Sequence, residues 1–234
     1  MCGRYSIGVS PEELEDVFEA PLSGQVVLPR WNVAPTQDAP VVVVDQSGER
    51  GTRSLRWGLV PRWAEDSSGA RWINARAESV SSKPAFREAF ESRRCLIPAD
   101  GFYEWVQRGA RKQPYWIHHR QGGLLGFAGL WESWQPRTGE ALEAFTILTT
   151  TSNALVAPLH DRMPVVLEPE AWTTWLDRAT PLVVVRALLA PVPEDLLVAR
   201  AVSALVNRVD RDDRRCVEPL REEAPEPLDL FGGG

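Results

Sequence analysis

Between residues 95 and 151 the sequence breaks into five runs rich in β-branched and aromatic residues, at 95–98, 101–107, 114–119, 124–134 and 144–151. Short turn segments lie among them: Arg108-Gly109, Gln121-Gly122-Gly123 and Thr138-Gly139. Strand-forming runs at hairpin spacing pair with their sequence neighbours and bury one face, which restricts the middle of the chain to an antiparallel sheet. Helices fit only outside that block. Ser10, Pro11 and Glu13 read as N-cap, first helical residue and capping-box partner of a helix running to about Glu19. Prolines likewise open helices over 84–94, 169–178 and 181–189. Strands are expected at 2–7, 41–45, 53–60, 163–167 and 197–203, with 72–75 extended and a Pro-containing loop over 29–40. No repeat and no long linker divides the chain. The expected architecture is a single β-rich α+β domain with a curved, mostly antiparallel sheet and flanking helices.

At 234 residues, the chain can bury roughly 70% of its extended surface and needs no disulfide staples. Cys2, Cys95 and Cys216 form no CxxC pair, which argues against a disulfide framework and a zinc ribbon. No run of 18 apolar residues is present and the N-terminus lacks a signal-peptide pattern, so a cytoplasmic protein with no membrane partner is expected. The net charge of −6 is unevenly placed. Residues 1–120 carry 16 basic and 15 acidic residues, whereas 121–234 carry 10 and 17. Within 71–87 stand Arg71, Arg76, Lys83 and Arg87 against the single acid Glu78, a strip that reads either as a solvated face or as a local anion-binding surface. Only two of the 26 basic residues are lysine, and arginine suits phosphate geometry. There is no GxGxxG, P-loop, HExxH or GxSxG motif, so no nucleotide cofactor and no metal is expected.

Four residues carry candidate chemistry. Removal of Met1 would leave Cys2 with an α-amine and a thiol on one residue. Their ordinary pKa values, about 7.7–8.0 and about 8.5, leave a useful fraction of the amine neutral near pH 7. Such a 1,2-aminothiol condenses with an aldehyde to an imine, which the sulfur closes to a thiazolidine; attack on an acyl group is its other option. Glu104 lies among Phe102, Tyr103 and Trp105. Strict alternation puts it on the face of Phe102, where desolvation raises a carboxyl's proton affinity. A water-facing strand glutamate is the plainer alternative. His160 sits in a proline-bounded loop beside Asp161, and the choice between an acid–base group and an exposed histidine is open. His118 and His119 end a strand and are assigned to the surface. Asn74 is either a substrate-orienting amide or a buried turn residue, and Arg4 and Arg76 are either phosphate ligands or salt-bridge partners.

Seven blocks together resemble the SOS-response-associated peptidase (SRAP) family. They are Met1-Cys2-Gly3-Arg4-Tyr5, Trp31–Gln37, Arg56–Pro61, Ile73–Glu78, Pro84-Ala85-Phe86, Arg94–Trp105 and His160–Pro164, in family order and spacing. The resemblance implies an SRAP domain over 1–207; residues 208–234 lie outside it as a C-terminal extension, partly disordered in that the composition of 221–234 predicts disorder. It also implies recognition of abasic sites in single-stranded DNA, with Cys2 forming a covalent thiazolidine with the opened sugar, and a peptidase-like self-processing that exposes Cys2. Asn74 would orient the sugar and Cys2, Glu104 would shuttle protons, and His160 would assist opening of the deoxyribose ring. Arg4, Arg76 and Arg162 would grip phosphates. Asn32, Pro35 and Trp57 would form part of the DNA-facing surface, joined by Lys83 and Arg87 of the basic strip. The protein is expected to act as a monomer. Two other readings compete: a cysteine peptidase with Cys2 as acyl nucleophile and His160 as base, and a noncatalytic single-strand binder. Neither needs an amine and a thiol on the same residue.

Overall fold

The computed structural model describes residues 2–45, 47–66 and 72–220. In chain order the elements are β1 (Tyr5–Ile7), α1 (Pro11–Phe18), β2 (Leu22–Ser23), β3 (Arg30–Val33), β4 (Asp38–Val44), β5 (Arg50–Trp57), β6 (Asn74–Arg76), α2 (Pro84–Ser92) and β7 (Arg94–Ala99). They continue with β8 (Gly101–Arg108), β9 (Arg111–His119), β10 (Leu125–Trp134), β11 (Leu142–Thr151), β12 (Arg162–Pro164), β13 (Val166–Leu167), α3 (Pro169–Leu176), α4 (Leu182–Ala187) and β14 (Leu197–Ala201). The β-rich α+β architecture expected from the sequence is the one observed.

Two sheets carry the fold. One has the order β14-β9-β8-β1-β3. In the other, β11, β10, β7, β4 and β5 follow one another, and β5 returns to pair with β11 through Ala144↔Arg56 and Phe145↔Trp57, closing a ring of five strands. The ring is antiparallel except at that closure. Closure leaves these central strands no free edge. Its interior holds Val41, Ile97, Phe127, Phe145 and Ile147, all fully buried.

Strand β8 shows how the pattern positions the site. Its alternation divides two cores: Phe102 packs edge-to-face on Phe127 in the main core, while Tyr103 and Trp105 join Trp116, Val206 and Cys216 in a second cluster. Glu104 therefore shares the main-core side with Phe102, as alternation requires. The N-cap reading also holds, with Ser10 Oγ accepting from Glu13 N–H at 3.2 Å.

Three local expectations need correction. The loop over 29–40 contains β3 and the start of β4, because Tyr5↔Val33 and Ile7↔Arg30 pairing recruits it to the sheet edge. Helix α2 stops at Ser92 rather than 94. Arg94 enters β7 and turns its guanidinium back to the carbonyls of Phe90 (2.8 Å), Glu91 (3.0 Å), Trp175 (2.6 Å) and Asp177 (2.7 Å), capping the ends of α2 and α3 together. His118 is half-buried, not a surface residue, and stacks on Trp116 with ring centroids 4.1 Å apart.

Beyond position 207 the chain continues to pack. Asp212 accepts from Arg30 Nε and from the backbone N–H groups of Trp31 and Asn32, and Cys216 is buried in the second cluster. Residues 221–234, the stretch expected to be disordered, lie outside the described residues, as do Met1 and Arg71. Cys2, Cys95 and Cys216 are free and buried. Among the described residues no helix is long and apolar enough to cross a membrane.

Candidate functional site

The chain enters β1 through Cys2, Gly3 and Arg4, which run beside β8 so that Tyr103 N–H donates to Arg4 C=O at 3.0 Å. Cys2 is fully buried. Its thiol faces the Arg4 carbonyl at 4.0 Å, and its own carbonyl accepts a 2.8 Å hydrogen bond from Asn74 Nδ2. Asn74 reaches it because β6 lies parallel to β11, Ile147↔Asn74 and Thr149↔Arg76. The second amide atom, Asn74 Oδ1, is buried and has no hydrogen-bond partner among the described residues.

Arg4, Glu104, Trp105, Lys112, His160 and Asn207 line a cavity of about 400 Å³ next to this terminus. Burial pushes the Glu104 carboxyl up to about 7. Burial also raises the Cys2 thiol, and the Glu104 carboxylate raises it further, so the two groups lie within electrostatic reach of each other. His160 is lowered, chiefly by burial. Its Nδ1 accepts from Arg162 N–H at 2.9 Å and lies 2.8 Å from Asp161 Oδ1. Asp161 is 85% exposed and its charge is screened by water. In the neutral ring the Arg162 N–H favours a bare Nδ1 with the proton on Nε2, whereas Asp161 favours a proton on Nδ1, so the two contacts pull the ring in opposite directions.

The structure thus brings together Cys2, Arg4, Asn74, Glu104 and His160. Arg76, Lys83 and Arg87 are exposed, and Pro35 is half-buried.

The other expected DNA-facing residues are placed differently. Trp57 is fully buried, donating through Nε1 to Ile73 C=O at 2.8 Å, and cannot face a ligand. Asn32 is also fully buried. Its Nδ2 bonds the Val206, Arg208 and Arg211 carbonyls while its Oδ1 accepts from Arg4 at 2.7 Å, so it latches the C-terminal segment onto β3. Arg162 is engaged in a fork-to-fork pair with Glu78 (2.6 and 2.9 Å) and donates to Thr149 C=O. That pairing fixes β12 and hence the loop that carries His160.

Sequence reasoning missed the cavity roles of Trp105, Lys112 and Asn207. Trp105 Nε1 donates to Asn207 Oδ1 at 2.7 Å, and Arg4 sits 6.0 Å from the Trp105 ring. Lys112 left one signal, as one of only two lysines in the chain; Asn207 left none.

A β-rich domain closed around a five-strand ring, with a buried cysteine at position 2 near a cavity lined by a carboxylate, an imidazole and an arginine, defines a narrow class. The family model for SOS response associated peptidase (SRAP) matches residues 1–209, and the chain belongs to that family. It is 39% identical over 226 residues to the abasic site processing protein YoqW of Bacillus subtilis (strain 168), covering 93% of this chain and 99% of that protein. It is 32% identical to the abasic site processing protein HMCES of Gallus gallus, over 86% of this chain and 69% of the relative. A crystal structure of a protein from Bacteroides thetaiotaomicron superposes with a TM-score of 0.85 at 25% identity, covering 94% of this chain and 100% of that one.

Proposed function

We propose that this protein captures abasic sites in single-stranded DNA by forming a thiazolidine with Cys2 after Met1 is removed, shielding the damaged strand. The reading rests on one observation above the others. The residue that would present both amine and sulfur is held by Asn74, two positions from Arg4 and within electrostatic reach of Glu104, both of which line the cavity together with His160.

The chemistry follows from the placement. An abasic deoxyribose is mostly a closed hemiacetal. Opening it breaks the bond from C1′ to the ring oxygen, with the hydroxyl proton leaving and a proton arriving at the ring oxygen. His160 in its imidazolium form gives that proton from Nε2 and recovers one from the C1′ hydroxyl, so its own charge is unchanged over the step. The freed aldehyde takes the neutral α-amine of Cys2 to give a carbinolamine, which loses water to form an imine. Glu104, with a pKa of about 7, both gives and takes protons at neutral pH. The thiol then adds to the imine carbon, its proton passing to the Glu104 carboxylate while the imine nitrogen is protonated. The balance is aldehyde plus aminothiol to thiazolidine plus water. Asn74 Oδ1 is the natural acceptor for the liberated α-amine. Arg4 supplies a charge-assisted contact to a flanking phosphate, and exposed Arg76, Lys83 and Arg87 extend the cationic surface. Ring closure explains why sulfur belongs at this position: an imine alone invites β-elimination and strand scission.

The test is intact-mass analysis of protein lacking Met1 mixed with an abasic single-stranded oligonucleotide. A one-to-one conjugate, lighter by one water than the sum of its parts and attached at residue 2, is expected. Cys2→Ser and protein retaining Met1 should give no stable conjugate. A stable conjugate from either would overturn the mechanism, and multiple-turnover cleavage of peptides with no DNA conjugate would favour the peptidase reading.

A further inference from the structure

The cavity beside Cys2 does not end at Lys112. A second cavity of about 580 Å³ continues from it, sharing Lys112 and Asn207, and is lined further by Arg108, Arg111, Gln113, Pro114, Val202, Ala204 and Leu220. Its charged lining is Arg108, Arg111 and Lys112, with no acidic side chain. The three stand at the tip of the β8–β9 hairpin, in a chain whose net charge is −6.

The hairpin makes this arrangement unfavourable by itself. Arg108 and Arg111 are direct cross-strand partners, flanking a two-residue turn in which Gly109 takes φ +57°. Gln107 and Lys112 form the next pair. Like charges directly opposite on paired strands repel. Among the described residues none of the three cations is in an ion pair, whereas Arg53, Arg93 and Arg162 each hold a carboxylate. Arg108 is instead steadied by neutral contacts, donating to Tyr115 Oη at 2.7 Å with its guanidinium 5.9 Å from that ring. Three cations gathered without a counter-charge, in a groove opening from the reactive cavity, call for a polyanion that passes through both.

We propose that the hairpin groove is a second DNA subsite, in which Arg108 and Arg111 hold backbone phosphates of nucleotides lying beyond the one captured at Cys2. This rests on the single-stranded DNA reading above and deepens it. Lys112, common to both cavities, bridges the two subsites. The contacts are to phosphate, so the subsite reads strand length and not base identity.

The test compares R108Q/R111Q with the unaltered protein, both lacking Met1, on abasic oligonucleotides of 3 and 15 nucleotides with the abasic site central. For the 15-mer, affinity should fall about 5- to 20-fold at low salt. The slope of log affinity against log salt should become shallower by about 1.4, from about 0.7 per phosphate contact on single strands. Affinity and conjugation rate on the 3-mer should stay within about twofold, which also reports that the variant is folded. Equal losses on both lengths, or no loss on either, would overturn the subsite. Failure of the unaltered protein to conjugate either oligonucleotide would instead overturn the abasic-capture reading, so the two outcomes are separable.

Discussion

Two of the arginine-lined cavities in this molecule treat charge differently. The larger, about 690 Å³, lies over β5, the end of α2 and β10. There Arg53 pairs with Glu143 while sitting 5.3 Å from the Trp131 ring, and Glu132, only 5% exposed, is held by Arg93 at 2.8 Å and Arg62 at 3.0 Å. Four of its five arginines, Arg50, Arg53, Arg62 and Arg93, face a carboxylate within 4 Å. In the smaller cavity beside Cys2, burial drives a carboxyl up to about 7, where it exchanges protons at neutral pH, and pushes the proton affinity of an imidazole down. Matched charges build a wall, whereas mismatched proton affinities make chemistry available, and cavity size does not tell the two apart.

The sharpest way to break this contrast is Glu104→Gln. General acid–base groups contribute about 10²–10⁴-fold, so the conjugation rate should drop at least about 100-fold with affinity for intact single-stranded DNA nearly unchanged. The pH–rate profile of the unaltered protein should bend near 7, and the variant should lack that bend. Stability gives an independent sign. The folded carboxyl keeps its proton up to about 7, above the unfolded value. Between those values the native state binds more protons than the unfolded one, so stability falls as pH rises. The glutamine variant escapes that decline. Its unfolding free energy should match the parent's at pH 5 minus a small offset and exceed it at pH 8 by an amount on the order of 2 kcal/mol. A pure affinity loss would reassign Glu104 to binding.

Glu132→Ala should do the converse. It leaves Arg93, 11% exposed, without its buried partner. Removing one member of a buried pair costs about 3–5 kcal/mol, and the exposure of Arg62 moderates this to roughly 2–4 kcal/mol, read as a lower urea midpoint. Conjugation per folded molecule should be unchanged. A loss of conjugation with stability intact would place chemistry in the larger cavity and erase the contrast.

Much of the smaller cavity was legible because its parts are local. Aromatic alternation put Glu104 on the face of Phe102, the chain start supplied Cys2, and proline-bounded loop composition marked His160. What the sequence concealed was set by distant pairing. Residues 30–33 read as a proline-bounded loop until β1 recruits them as β3. The matching block Arg56–Pro61 could not reveal that Trp57 lies inside the ring, because burial depends on β5 closing onto β11. Arg162 and Asn32 were assigned to DNA through the family resemblance. Their partners, Glu78 and the carbonyls of 206–211, are 84 and at least 174 residues away.

The smallest expected effect asks whether the reactive cavity depends on structure beyond its own lining. Asp212 stands past the family match, which ends at 209, yet it bonds Arg30 and two backbone N–H groups of β3. The same segment lends the Val206 carbonyl to Arg4 at 2.8 Å and Asn207 to Trp105. Asp212→Ala should therefore cost about 1–2 kcal/mol, in the range for lost hydrogen bonds to a charged group, and weaken single-stranded DNA binding about two- to fivefold by releasing Arg4. Asp212→Asn keeps a carbonyl acceptor and should recover most of both losses. The pairing of the two readouts distinguishes this site from Glu132, whose removal lowers stability alone. If Asp212→Ala also lowers stability with DNA affinity untouched, Arg4 is positioned by Asn32 without the segment, and the cavity wall ends at β3.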